Sequence, residues 1–600
     1  MGNPLLLILG AVLALVSAAR AGDVSPLVTR TWNGTTYACK TYYDDPVWQD
    51  TRKWKALNSS VEGNLLVDIP PGAVCHSTFQ GPLGNISTYN AAKCANVTSS
   101  FADEQWNIEQ PAAALWTYFS GDACRPTTDP TEPCKLGNYP VYVIMAKKAS
   151  HIKTGILFAK QFGMRLVIRN TGHDFIGRST GWGSLVINTH SFQDVTFTDS
   201  CSGPGDYQGR AVTIGAGVQA RDLLRKAHAQ NPPLTVVVGE CPTVGVAGGL
   251  SGGGGHGPLT TLKGWTVDNV LEFTVLTADG EYLTVNSEEN SDLFWALRGG
   301  GPGTYAVVLS ATYKTHVDLP SSGIILNINS THTNDTELFW KGVTAFHKYS
   351  NHFVDKGLYV YYVIGMFGMH LNVQPFVAFG KNSTELAAIV KPLYDDLHAL
   401  SLKYDAVIKD YPTFFDLYID MFEDEQAGNS ALSGGWMFPH EDIANNNNDI
   451  VAGLRNVFES GGFVIGHMWN AGSGIPSSRW NDTSTNPRFR YASDSVITSL
   501  AIAGDAPEAE RLAAQQKLTY VFDEPLRMAA PHGAAYVNEN DPFQPNWQEH
   551  FWGENYPRLA SIKKKYDPEG VFYAVSTPGT EDWVQIESGT RLCKRGDTPL

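Results

Sequence analysis

The stretch that decides the fold is Gly239-Glu240-Cys241-Pro242-Thr243-Val244-Gly245-Val246-Ala247-Gly248-Gly249-Leu250-Ser251-Gly252-Gly253-Gly254-Gly255-His256-Gly257. So dense a run of glycine predicts neither helix nor ordinary strand. Glycine lacks a Cβ, so its backbone can approach a flat or charged ligand closely. The run lies between strand-like segments and is interrupted by Val, Ala and Leu, which sets it apart from a flexible linker. It is not a Walker loop, because no Gly-Lys-Ser/Thr closes it, and it is not a clean G-x-G-x-x-G after a strand.

Upstream, Arg169-Asn170-Thr171-Gly172-His173-Asp174 follows the apolar Leu166-Val167-Ile168, with Gly177 and Ser179 close behind. A turn that exposes successive backbone N–H groups suits a diphosphate. Around these clusters the pattern alternates. Strands are predicted at 141–144, 166–168, 184–188, 211–215 and 234–238, and helices at 147–162 and 219–230. Segments 270–277 and 282–286, joined by Ala278-Asp279-Gly280, read as a hairpin. From about 316 a separate α+β lobe is expected, with strands at 359–364, 371–379 and 463–469 and a helix at 384–400. Residues 37–138 read as a loop-rich extension, and helix returns from about 506.

The two clusters, about 70 residues apart, together resemble the FAD-binding domain of the vanillyl-alcohol oxidase (PCMH) superfamily, and its berberine bridge enzyme-like branch in particular. The resemblance rests on Cys241-Pro242-Thr243-Val244-Gly245-Val246 with Ser251-Gly252-Gly253-Gly254, then Trp265, Asp268-Asn269-Val270, Asp279-Gly280 and 292–301. Near the end, Tyr536-Val537-Asn538, 552–559 and 563–568 continue it. It implies an α+β protein with a two-lobed PCMH-type FAD-binding domain and an α/β substrate domain built on an antiparallel sheet. The division expected is an extension at 22–134, the FAD domain at 135–316, the substrate domain at 317–520 and a C-terminal return at 521–600.

The resemblance further implies bicovalent FAD, bonded at the 8α-methyl to His173 and at C6 to Cys241. Imidazole and thiolate are nucleophiles suited to that addition. Around the cofactor it implies Asn170, Thr171, Gly172, Asp174, Gly177, Ser179, Thr243, Val244, Gly245, Val246, Gly248, Gly249, Gly253, Gly257, Val270, Asn538 and Asn555. A flavin tethered twice should have a raised redox potential and an open substrate cleft. Val244 stands where oxidases of the branch carry a small side chain, which implies oxygen access. Gly249 stands where some members carry a histidine, so that contact is either absent or supplied by His256. The expected activity is oxidation of an alcohol or carbohydrate hydroxyl with O2 as acceptor. Oxidative cyclisation or amine oxidation in secondary metabolism is the alternative, and a non-enzymatic glycoprotein holding flavin is a third reading. The catalytic base stays open between Tyr536 and His467, because 466–470 shows no acid where some members hold one.

The remaining features fit an exported enzyme. Residues 5–16 are an apolar run too short to span a bilayer, followed by Ala19-Arg20-Ala21, so 1–21 reads as a signal peptide and the mature chain as secreted. Sequons occur at Asn33, Asn58, Asn85, Asn96, Asn329, Asn334, Asn382 and Asn481. Of the eight cysteines, Cys75 with Cys94 and Cys124 with Cys134 are the local pairs expected; if Cys241 holds flavin, one of the other seven is left unpaired. A net charge of −16 excludes a nucleic-acid partner. No long apolar stretch suggests a membrane partner, no metal site is expected, and a monomer is.

Overall fold

The computed structural model describes residues 26–595; the segment 1–21, expected to be a signal peptide, lies outside them. Two sheets form the half of the molecule that carries both glycine-containing clusters. In the first, Tyr142–Met145, Leu185–Asn188 and Leu166–Arg169 run parallel, and Leu65–Val67 pairs antiparallel at the edge. These strands are apolar on both faces, as a covered parallel sheet requires, and helix Ala149–Gln161 makes the crossover. The second is antiparallel: Val195–Ser202, Gln208–Gly215, Ala306–Lys314, Val270–Thr277 and Tyr282–Asn286 in spatial order. The last two form the expected hairpin, with Leu276 opposite Tyr282.

A third, seven-stranded antiparallel sheet is drawn from between Ser321 and Ala501. Tyr359–Ile364 and Phe463–Met468 are neighbours in it, with His467 opposite Tyr361 and Ser495. Strand alternation sends Ile465 and His467 to one face.

Three expectations need correction. The glycine-rich run is not free of helix: Val246–Leu250 forms a π-helical turn that leads into a single α-turn at Ser251–Gly253. Buried Val246 and Ala247 anchor it in the core, and that packing outweighs glycine's poor helix propensity. The strand expected at 234–238 is paired only at Leu234–Thr235, against His316–Val317. Val236, Val237 and Val238 are buried in the core without strand partners, so their apolar run reported burial rather than a sheet. The extension is more regular than expected, with helices Thr51–Ser60 and Ala91–Ser100 capped by Asp50 and Asn90.

The disulfides Cys75–Cys94 and Cys124–Cys134 form as expected. Cys39–Cys593 ties the two ends of the chain together, leaving Cys201 and Cys241 as free thiols. Among the described residues no helix is long and apolar enough to cross a membrane.

Candidate active site

His173 and Cys241 both open onto one cavity, about 1540 Å³ with its mouth included, between the first two sheets and the seven-stranded sheet. The turn after strand Leu166–Arg169 carries His173, and Gly172 makes that turn possible with a φ of +89°. The loop ahead of the π-helical turn carries Cys241. Thr243 joins them, its Oγ1 lying 2.7 Å from His173 Nε2 and 3.5 Å from Cys241 Sγ. Burial, then the nearby Arg169 charge, pushes the His173 imidazole down to about 4, so it is neutral near pH 7. Burial and the acids Glu425 and Glu104 push the Cys241 thiol up.

Asn170, Thr171, Gly172, Asp174, Ser179, Val244, Gly245, Gly248, Gly249 and Asn538 also line the cavity. Asp174 accepts from Arg178 Nε at 2.7 Å, and Arg178 Nη2 donates to Asn538 Oδ1 at 3.1 Å. Asn538 in turn donates to the Gly249 carbonyl at 3.0 Å.

The other residues expected at the cofactor support the wall from behind. Thr243 is fully buried, and Val246 and Val270 sit in the core. A Cβ on Gly177 would press on Phe119 at 2.6 Å; one on Gly253 would collide with the Asn538 side chain, and one on Gly257 with the Val238 carbonyl. Asn555 donates to the Thr485 carbonyl at 2.9 Å, away from the cavity.

The two candidate bases separate. His467 lies on the wall, with Nε2 3.4 Å from Glu240 Oε1. Tyr536 does not reach the wall. Its oxygen accepts from Gly255 N–H at 3.0 Å and Asn538 Nδ2 at 3.1 Å, and burial, with Glu539 nearby, pushes its phenol far up. The Tyr536 hydroxyl is thus held against the glycine run.

The structure adds residues that sequence reasoning passed over. Glu240, inside the quoted run, is shared by His467 and His256; burial favours its neutral form, but the two imidazoles outweigh that and hold its carboxyl well below the usual range. Glu539 Oε2 lies 3.0 Å from His256 Nε2. Burial, with the charges of Glu104, Glu240 and Glu539, pushes Glu425 on the wall up to about 8. Glu104, from the N-terminal extension, meets both Thr243 and Cys241.

The cavity fits FAD. Nothing stands within 4 Å of where a Cβ would sit on Gly248 or Gly249, so both glycines border open space. Asn170 Oδ1 and Arg178 Nη1 are buried at the cavity without a hydrogen-bond partner, as is His467 Nδ1. Buried polar atoms are seldom left so, and a polar, ring-bearing ligand would satisfy them.

The FAD binding domain family matches residues 140–286, and the berberine and berberine-like family matches 535–575. The crystal structure of the VAO-type flavoprotein MtVAO615 from Myceliophthora thermophila C1 superposes with a TM-score of 0.84 at 32% identity, covering 93% of this chain and 100% of that one. Fold and cavity thus define a FAD-dependent oxidoreductase of the vanillyl-alcohol oxidase type. The FAD-linked oxidoreductase ZEB1 of Gibberella zeae is 37% identical over 561 residues, 93% of this chain and 95% of its own. The bifunctional decalin synthase calF of Penicillium decumbens is 32% identical over 576 residues, 93% and 96% of the two chains. The chain belongs to the berberine bridge enzyme-like branch of that superfamily.

Proposed function

We propose that this enzyme is a secreted oxidase of small-molecule alcohols or carbohydrate hydroxyls, with FAD bonded to both His173 and Cys241. Bound there, FAD would accept two electrons from the carbinol C–H and pass them to O2, giving H2O2. One observation carries the reading. Two nucleophiles about 70 residues apart share one cavity and one hydroxyl, that of Thr243. They stand on the same edge of the site, as a ring substituted at 8α and C6 requires.

His467 takes the hydroxyl proton at Nδ1, which has no hydrogen-bond partner, while Nε2 stays 3.4 Å from Glu240 Oε1. Ionised Glu240 beside it stabilises the imidazolium that results, as a carboxylate does for a catalytic histidine. Glu425, neutral below about pH 8, donates a hydrogen bond to the substrate oxygen. Val244, which lines the cavity, is the small side chain that we assign to O2 access.

All eight sequon asparagines lie outside the buried core, and three disulfides are formed. Both features support export as a glycoprotein, and we take the mature chain as a monomer.

A second reading, oxidative cyclisation in secondary metabolism, draws support from the relative named a decalin synthase and from the apolar wall residues Ile465 and Ile497. The test is a peptide map of acid-precipitated protein together with H2O2 release on alcohol and oligosaccharide panels. Flavin mass on both peptides with peroxide release supports the oxidase. A colourless pellet overturns the two-tether reading. Flavin on both peptides without peroxide on either panel favours cyclisation.

A further inference from the structure

We propose that Glu104 is the proton acceptor for covalent attachment of the cofactor, reaching Cys241 directly and His173 through the Thr243 hydroxyl. The inference rests on the two-tether reading above and assigns that site a residue from outside the matched FAD-binding segment, which spans 140–286.

Glu104 Oε2 accepts from Thr243 Oγ1 at 2.8 Å and from Cys241 Sγ at 3.7 Å, while Oε1 lies 3.9 Å from His173 Nδ1. Its other oxygen contact is the Glu425 backbone N–H at 3.2 Å. Oε1 is buried without a hydrogen-bond partner. A carboxylate this buried, touching two nucleophiles, is not an ordinary surface acid.

Its placement is built into the fold. Asp103 caps the helix Glu104–Glu109 by accepting from Trp106 N–H at 2.8 Å. Arg169, at the base of the His173 turn, donates to the carbonyls of Asn107 and Ala113 at 3.1 Å and 3.0 Å. One buried guanidinium thereby fixes the Glu104 helix to the turn that carries His173. Gln219 adds a second clasp, donating to Gln105 at 3.0 Å and to the Thr243 carbonyl at 2.8 Å.

Each attachment replaces one hydrogen on the nucleophile and one on the ring, at C6 or on the 8α-methyl, with a new bond. The two electrons and two protons released reduce O2 to H2O2. A thiol must lose its proton to act as a nucleophile, and burial holds the Cys241 thiol in its protonated form. Glu104 is the carboxylate that this thiol contacts. Burial pushes it up to about 7 against the pull of its Thr243 hydrogen bond, so near neutral pH it can take up and release a proton. When Glu104 is ionised it can only accept, so Thr243 donates to it and accepts from His173 Nε2–H. The Nδ1 lone pair is then left for bonding.

The experiment compares Glu104→Gln with wild type by peptide mass and by acid-releasable FAD. Glu104→Gln should hold FAD within about twofold of the wild-type content, with covalent flavin on the Cys241 and His173 peptides reduced at least tenfold and the remainder released by acid. Glu104→Asp should recover part of the attachment. Wild-type stoichiometry on both peptides of Glu104→Gln overturns the proposal. So does a folded variant that has lost all its flavin, because that marks a packing role. If Glu104→Gln does not fold, Thr243→Val decides: loss at His173 with Cys241 retained supports the relay, and retention at both overturns it. If the wild-type peptides carry no flavin, the two-tether reading itself has failed.

Discussion

Substituting Gly248 tests whether the cavity is the cofactor site, because the change should separate folding from binding. No heavy atom lies within 4 Å of a Cβ built there, and the φ is not in the left-handed region. The residue also sits in a helical turn, where alanine is favoured over glycine by about 0.5–1 kcal/mol. Gly248→Ala should therefore leave the melting temperature of the cofactor-free chain unchanged or slightly raised. Within the cofactor's volume, however, an added methyl is an overpacking change of about 1–3 kcal/mol. At 1.4 kcal/mol per decade that is about one to two decades in affinity, and Gly248→Leu should exceed it. The affinity is best read by titrating FAD in a His173→Ala/Cys241→Ala background, where binding is reversible, with thermal unfolding of the same preparations run in parallel. Unchanged affinity in Gly248→Leu would refute the assignment. A collapsed melting temperature in Gly248→Ala would show that the open space is occupied by protein and that the cradle argument fails.

Four further outcomes are expected. Under denaturing, non-reducing conditions the protein should show one reactive thiol, Cys201, if Cys241 is bonded to flavin, and two if it is not. His467→Ala should lower kcat about 10²–10⁴-fold with FAD content unchanged. Tyr536→Phe should keep most activity while losing about 1–3 kcal/mol of stability, because it strands the buried Gly255 N–H; the reverse pattern would restore Tyr536 as the base. For Glu425, whose carboxyl is raised to about 8, the neutral form prevails below that pH, and above it a new negative charge joins Glu104, Glu240 and Glu539. KM for a hydroxyl substrate should therefore rise above about pH 8. Glu425→Gln should abolish that alkaline limb in a pH profile, and an unaltered limb would assign it elsewhere.

What could be read from the chain alone was the chemistry that lies contiguous in it. Cys241 and His173 stood out through the family resemblance that the glycine-dense run and the Gly-His-Asp turn carry together. The acids did not stand out, since a carboxylate's role depends on what burial and neighbours do to it. Glu240 and Glu539 sat beside recognised residues, yet only the approach of His256 and His467 gives them partners. Glu104 carried no local signal at all, because it is brought in from the N-terminal extension by Arg169, whose guanidinium spends its donors on carbonyls more than fifty residues away in sequence. The same non-local packing explains the misread segments. Val236–Val238 are apolar because they are buried, with no strand beside them, and the glycine run turns helical because Val246 and Ala247 enter the core. A sequence motif can therefore mark where a cofactor lies, while the groups that set protonation at its edges are placed by contacts that leave no pattern along the chain.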